Sequence, residues 1–339
     1  YFLAKLTYPV AFVLDKQNLS DPNWIEKPNG SGPFTLDEYL VGEKLVLKRN
    51  DNWHKNIAKL DYVSMNLAGG SAMAMYENCE IDITGVGMSD LERVLDPSNS
   101  LNKDVVVAPL DFSQYYIGFN LNEPPFDDIH FRQALAYSIN KELIASEVLS
   151  DLVKPAYGIL PPGFPGYNEN VTGFKFDEAA AKDALAKSKY SDITTLPRLI
   201  LSVPGTGGSA GLDIEVILEM WKQTLGIDVE IQQLEWATFL QMLNKKELQF
   251  FSGLGWVADY PDPENFLDVN FHSSKSTNHN NYSNPEVDNL LELARVEADV
   301  SMRLDLYNKA EKIIVNESPW IPLWFPGDQY VLINQRIKN

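Results

Sequence analysis

The run Arg198-Leu199-Ile200-Leu201-Ser202-Val203 is apolar, rich in branched residues, and stops at Pro204-Gly205-Thr206-Gly207-Gly208-Ser209. It reads as a strand entering a glycine-rich loop. Beyond the loop, Val216, Ile217, Met220, Trp221 and Leu225 fall on one face of a helix. Ile227-Asp228-Val229-Glu230-Ile231 then alternates apolar and polar, as a half-buried strand does. Strand, helix and strand make a β-α-β unit, whose strands lie parallel with a right-handed crossover. This unit sets the class as α/β.

Downstream, Phe239, Leu240 and Leu243 mark a short helix after Trp236, and residues 248–252 a strand. Ser283-Asn284-Pro285-Glu286 opens two helices, either by a Ser283/Glu286 capping box or by an Asn284 cap with proline in first position. Their core faces are Val287, Leu290, Leu291 and Ala294, then Leu306, Tyr307, Ala310, Ile313 and Ile314. Residues 320–325 and 330–333 read as strands. Upstream, residues 45–49, 62–67 and 115–120 read as strands, 105–107 as a buried one, and Ser71 caps a helix. The proline pair in Asn122-Glu123-Pro124-Pro125 ends one region. Asp127 or Asp128 can cap the helix that follows, and Asn140 a second. Sheets of both kinds are expected.

With 339 residues, more than one lobe is expected. Lys and Arg number 28 against 47 Asp and Glu, a formal charge of −19. That balance excludes nucleic acid as a partner, since no basic stripe can displace phosphate counterions. It also disfavours attachment to anionic lipid. No window is apolar enough to span a bilayer, and the first residues carry no signal-peptide pattern. The single cysteine, Cys79, excludes an intrachain disulfide and a cysteine-based zinc site. His272 and His279 stand in a polar stretch and are most simply solvated loop residues. No cofactor or metal is expected.

The glycine-rich loop lacks both the Gly-Lys-Ser/Thr ending of a P-loop and the dinucleotide spacing, so it reads as a plain β-α loop. Asp259, Asp262 and Glu264 cluster in Gly255-Trp256-Val257-Ala258-Asp259-Tyr260-Pro261-Asp262-Pro263-Glu264. Two such acids could serve a glycosidase, could cap a short helix, or, for Asp259 beside Trp256, could face a cationic ligand group. No nucleophile elbow is present. Trp221, Trp53 and Trp236 read as packing; Trp256 and Trp324 are fairer ligand contacts.

Five blocks together carry a resemblance. They are Asn29-Gly30-Ser31-Gly32-Pro33-Phe34 with Gly42-Glu43-Lys44-Leu45-Val46-Leu47; Glu77 to Asp82, with Cys79 where glycine is usual; Gly118-Phe119-Asn120 through Pro125-Phe126-Asp127-Asp128 to Ile139; Trp256 to Phe266; and Tyr282 to Asp288. In this order they resemble the oligopeptide- and dipeptide-binding members of solute-binding protein family 5. The resemblance implies a periplasmic-binding-protein-like fold of class II type, with two lobes joined by a hinge. It divides the chain into 1–118 (part of lobe I), 119–321 (the C-terminal α/β lobe) and 322–339 (the return to lobe I). It implies a non-catalytic extracytoplasmic receptor, periplasmic or a surface lipoprotein, that delivers peptides to an ABC permease.

In the peptide-binding relatives the aspartate of the Trp-x-x-Asp-Tyr block pairs with the ligand's ammonium, and here that is Asp259. Tyr116, Asn120 and Trp324 match the lobe crossings, and Trp256, Val257 and Tyr260 flank the anchor. Some relatives pair the peptide carboxylate with arginines; Gly253 and Asn244 stand at those positions here. A longer peptide, or another small cationic ligand, therefore fits as well as a short peptide held at both ends. Relatives also begin earlier and end later, so part of lobe I and any signal or lipid anchor are expected outside this chain, and the apolar surface so uncovered should favour self-association. Two other readings are weighed: the same scaffold carrying an oligosaccharide or metal chelate, and a secreted acidic glycoside hydrolase, motivated by the aromatic and carboxylate content.

Overall fold

The computed structural model describes residues 2–109, 111–205, 207 and 210–337. The chain forms two compact units, one spanning Val86–Val331 and the other Phe2–Gly85 together with the residues from Leu332 onward.

The larger unit is built on a six-stranded sheet. Its strands are β1 (Ser113–Phe119), β2 (Val153–Pro155), β3 (Ile200–Pro204), β4 (Glu230–Leu234), β5 (Phe250–Val257) and β6 (Trp320–Pro326), in the spatial order β2-β6-β1-β5-β3-β4. β3 pairs parallel with both β4 and β5, whereas β1 pairs antiparallel with β5 and β6. The parallel β3–β4 pair is the expected β-α-β unit, joined through helix α3 (Leu212–Leu225). Gly226 at φ +72° closes that helix, and the Gly226 N–H donates to the Lys222 carbonyl. The return strand starts at Glu230, three residues later than its alternating pattern begins. Ile227 is buried and packs under the sheet before the ladder opens.

Strand alternation sends neighbours to opposite faces. Ile117, Phe119, Phe250, Ile321 and Leu323 join one core; Tyr116, Phe251 and Trp320 join the other. The first core is covered by α1 (Ile129–Tyr137), α2 (Glu178–Lys187) and α3. The second is covered by α4 (Trp236–Asn244), α5 (Pro285–Val296) and α6 (Val300–Glu317). Both faces of the sheet are therefore buried, which is why its central strands read as nearly continuous apolar runs. Each fully buried Phe or Leu contributes about 1.5–3 kcal/mol.

Caps follow the sequence closely. Asp128 accepts from the His130 and Phe131 N–H groups (2.8 and 3.1 Å), and Asn140 from Leu143 (3.1 Å). Of the two starts open at residues 283–286, the Asn284 cap is the one formed, with Pro285 at the first position. Trp221 is buried, and its indole N–H donates to the Leu135 carbonyl at 2.9 Å. Two packing expectations fail. Trp236, at the first position of α4, is 51% exposed, and Val106 and Val107 in strand Val105–Ala108 are 45% and 55% exposed. The sequence pattern favours burial at both places; for valine that signal reports strand propensity rather than burial.

The smaller unit carries an antiparallel meander of Phe34–Leu40, Lys44–Arg49 and Tyr62–Asn66, with Gly42 at φ +74° in its first turn. Ser71 caps helix Ala72–Glu77 by accepting from the Ala74 N–H. Just past that helix Cys79 has φ +60°, a left-handed conformation that disfavours any side chain and suits glycine.

Candidate ligand-binding site

The end of β5 is shaped by two glycines. Gly253 has φ +76° within the bulge between Phe251 and Leu254, and a Cβ there would lie 2.7 Å from Pro204. Gly255 pairs with Tyr115, whose ring would sit 3.0 Å from a Cβ at that position. The bulge turns the strand end, and the bare glycine admits the tyrosine ring.

Beyond Gly255 come three of the expected site residues. Trp256 is half-buried, with its indole N–H directed at Asn265 Oδ1 (3.4 Å); Val257 is 52% exposed; Asp259 is exposed. Asn265 is buried and organises this corner. Its Oδ1 accepts from the Asp259 backbone N–H at 2.9 Å, and its amide donates to Asp259 Oδ2 at 3.1 Å. One carboxylate oxygen is thus fixed from behind, and the exposed group meets solvent in a defined orientation. The Ala258 N–H donates to the Phe112 carbonyl at 2.8 Å, which ties this corner to the start of β1.

The other expected residues lie elsewhere. Tyr260 is buried and its hydroxyl donates to Glu264. Tyr116 is buried on the second core, stacked on Trp320 with centroids 3.5 Å apart, and burial raises its phenol pKa. Asn120 is buried, and its amide donates to the Lys246 and Leu248 carbonyls while its oxygen accepts from the Asn122 N–H and the Asn281 amide. All four of its hydrogen-bonding positions are occupied by protein. Trp324 is 3% exposed and donates to Asp213 Oδ2 at 3.3 Å. It borders a cavity of about 530 Å³ that Tyr115 and Asp213 also line.

Tyr115, Asn265 and Asp213 were not singled out in the sequence. Strand alternation puts Tyr115 and Tyr116 on opposite faces, but nothing local says which face is open. Burial and the nearby Asp111 carboxylate raise the Tyr115 phenol pKa.

The remaining acids of the block are inward and paired. Asp262 accepts two hydrogen bonds from Arg303 (3.0 and 2.7 Å) and one from the Glu264 N–H, the helix-capping role. Asp268, fully buried, is held by Arg295 and Lys275. In the 125–139 block, Arg132 donates to the carbonyls of Phe126, Glu317 and Ser318, and burial lowers its pKa to about 10. His272 is not a solvated loop residue: it is buried, with its ring against Glu292 and Ser274. His279 bonds Asn244, and burial lowers its pKa to about 4. Among the described residues no cluster of His, Cys, Asp or Glu is arranged to hold a metal ion. Of the glycine-rich loop, Thr206, Gly208 and Ser209 lie outside the described residues; the Gly207 N–H donates to Gln233 Oε1 at 2.8 Å.

The sequence model of the bacterial extracellular solute-binding proteins, family 5 (middle region), matches residues 1–278, and the chain belongs to this family. It is 31% identical to the dipeptide-binding protein DppE of Bacillus subtilis over 354 aligned residues, covering 100% of this chain and 63% of that protein. The structure of the Escherichia coli murein tripeptide binding protein MppA superposes with a TM-score of 0.82 at 27% identity, covering 98% of this chain and 66% of that one. The oligopeptide-binding protein AppA of Bacillus subtilis, solved with a nonapeptide, gives 0.78 at 25% identity, with 96% and 69% covered. The fold is the mixed α/β fold of the periplasmic peptide-binding proteins. The chain spans under two thirds of the length of DppE and MppA. No helix among the described residues is long and apolar enough to cross a membrane.

Proposed function

We propose that this protein is the substrate-binding component of an ABC importer for peptides, and that Asp259 pairs with the peptide's α-ammonium. The observation that carries the reading is the exposed Asp259 carboxylate, held by Asn265 beside Trp256 and Val257. A preoriented carboxylate gains most from one matched, hydrogen-bonded cation as ligand and protein close out water. Trp256 and Val257 supply the apolar contact around it, and Trp324 borders the cavity that Tyr115 and Asp111 line. Tyr116, Asn120 and Tyr260, expected at the ligand from the family resemblance, are buried in the protein. The lobes follow the divisions 1–118, 119–321 and 322–339 and close on the ligand by a hinge motion. The protein works outside the cytoplasm, in the periplasm or as a surface lipoprotein, with a membrane permease as its partner. The reading is non-catalytic: of the three acids a glycosidase could draw on here, Asp262 and Glu264 are buried and engaged by Arg303 and Tyr260, and Asp259 is the one exposed acid of the block.

Titration calorimetry with a mixed set of di- to nonapeptides tests this. Binding that N-acetylation of the peptide or Asp259→Ala weakens by about thirtyfold or more is the expected result. Peptide binding unaffected by either change removes the ammonium anchor. No peptide binding at all removes the function.

A further inference from the structure

The cavity beside Trp324 has a lining suited to one class of side chain. Its volume is about 530 Å³, and its walls include Leu149, Leu152 and Val153. Tyr115 and Trp324 supply two aromatic rings from neighbouring strands, paired directly across the β1–β6 ladder. Asp111 and Asp213 supply two carboxylates, and no Lys or Arg lines the cavity among the described residues. Asp213 accepts from the Trp324 indole at 3.3 Å, which fixes that carboxylate at the aromatic end. Asp111 lines the same cavity, near enough to Tyr115 for its charge to act on the phenol, and lies next in sequence to Phe112, whose carbonyl receives the Ala258 N–H of the Asp259 corner.

We propose that this cavity is a side-chain subsite selective for lysine or arginine in the bound peptide, the aliphatic stem resting on the leucine and valine wall and the cationic head meeting Asp213, Asp111 and the Tyr115 and Trp324 rings. Long basic side chains bury their stems on apolar surface and keep the charge on polar partners, which matches this order of wall and acid. Aromatic faces attract the same cation. An acidic side chain would meet two like charges and no counter-ion. With the ammonium on Asp259 and the Ala258–Phe112 hydrogen bond joining that corner to the residue after Asp111, the second and third residues of an extended peptide are the positions to test. The inference rests on the peptide-binding reading and adds a specificity to it.

The test is calorimetry with Ala-Xaa-Ala-Ala and Ala-Ala-Xaa-Ala, where Xaa is lysine, arginine, norleucine, phenylalanine or glutamate. Lysine or arginine at one of these positions should bind about tenfold tighter than norleucine, which has the stem without the charge, and glutamate weakest. In Asp213→Asn, and separately in the exposed Asp111→Asn, the lysine-to-norleucine ratio should fall toward one, with thermal melting checking that each variant is folded. Norleucine or phenylalanine equalling lysine in the wild-type protein overturns the subsite and leaves peptide binding in place. A lysine preference surviving in both variants also overturns it, because the preference then arises elsewhere. If none of these peptides binds, the peptide reading falls and the subsite falls with it.

Discussion

Asp259 and Asp262 stand three residues apart in one block, yet their surroundings are opposite. Asp259 is exposed, with one oxygen on the Asn265 amide. Asp262 is buried, with both oxygens on Arg303 and one also on the Glu264 N–H. Asp268, six residues further on, repeats the closed arrangement with Arg295 and Lys275. A carboxylate removed from water needs a fixed counter-charge, and once it has one there is nothing left to offer a ligand. A carboxylate oriented from behind by a neutral amide keeps its charge uncompensated until a cation arrives. The difference between the proposed anchor and the scaffold acids is therefore set by what stands behind each.

Three substitutions press on this contrast. The largest effect is expected for Asp262→Ala. It leaves the Arg303 side chain, only 14% exposed, without its carboxylate, and should cost about 3–5 kcal/mol in urea unfolding. A loss below about 1 kcal/mol would erase the distinction between closed and open acids.

Glu311 is intermediate, being buried but only half answered. Its Oε1 accepts from the Ile159 and Leu160 N–H groups (2.7 and 2.9 Å), while its Oε2 is buried with no hydrogen-bond partner. Burial raises its pKa from 4.5 to about 7. The folded state therefore holds a proton that the unfolded state releases between pH 4.5 and about 7, and this group's contribution to stability falls as pH rises through that window. Glu311→Gln should remove that decline and be the more stable protein at pH 8 by about 1–3 kcal/mol, with the gap narrowing at pH 4.5. Parallel unfolding curves for the two proteins across this range would contradict it.

The smallest effect belongs to Asp259→Ala. Its carboxylate is exposed, so unfolding free energy should stay within about 0.5 kcal/mol of wild type, even though peptide affinity is lost. A destabilisation comparable to that of Asp262→Ala would mean that Asp259 is scaffold after all.

Local signals carried far in this chain. Ser71, Asp128, Asn140 and Asn284 all cap the helices that their positions announce, because a cap needs only a short polar side chain and the next two or three N–H groups. Cys79, unusual for standing where glycine is expected, occupies a left-handed backbone position, so that pattern recorded a dihedral constraint. At the proposed site the sequence names Trp256 and Asp259 but not Asn265, whose hydrogen bonds to both form only because the chain turns back between residues 259 and 265. Tyr116 was read as a site residue and is buried in a core, while Tyr115 beside it lines the cavity.

From the order of residues alone come the α/β class, the β-α-β unit, the helix starts and the family, since each depends on spacing within a few residues or on blocks in a fixed order. The sidedness of the sheet, the pairing of Asp262 and Asp268, and the meeting of Tyr115, Trp324 and Asp213 around one cavity depend on contacts between distant segments. Asp213 and Trp324 are 111 positions apart and meet through one hydrogen bond. No local pattern encodes such a contact; it exists because a sheet buried on both faces brings those strands and that helix start together.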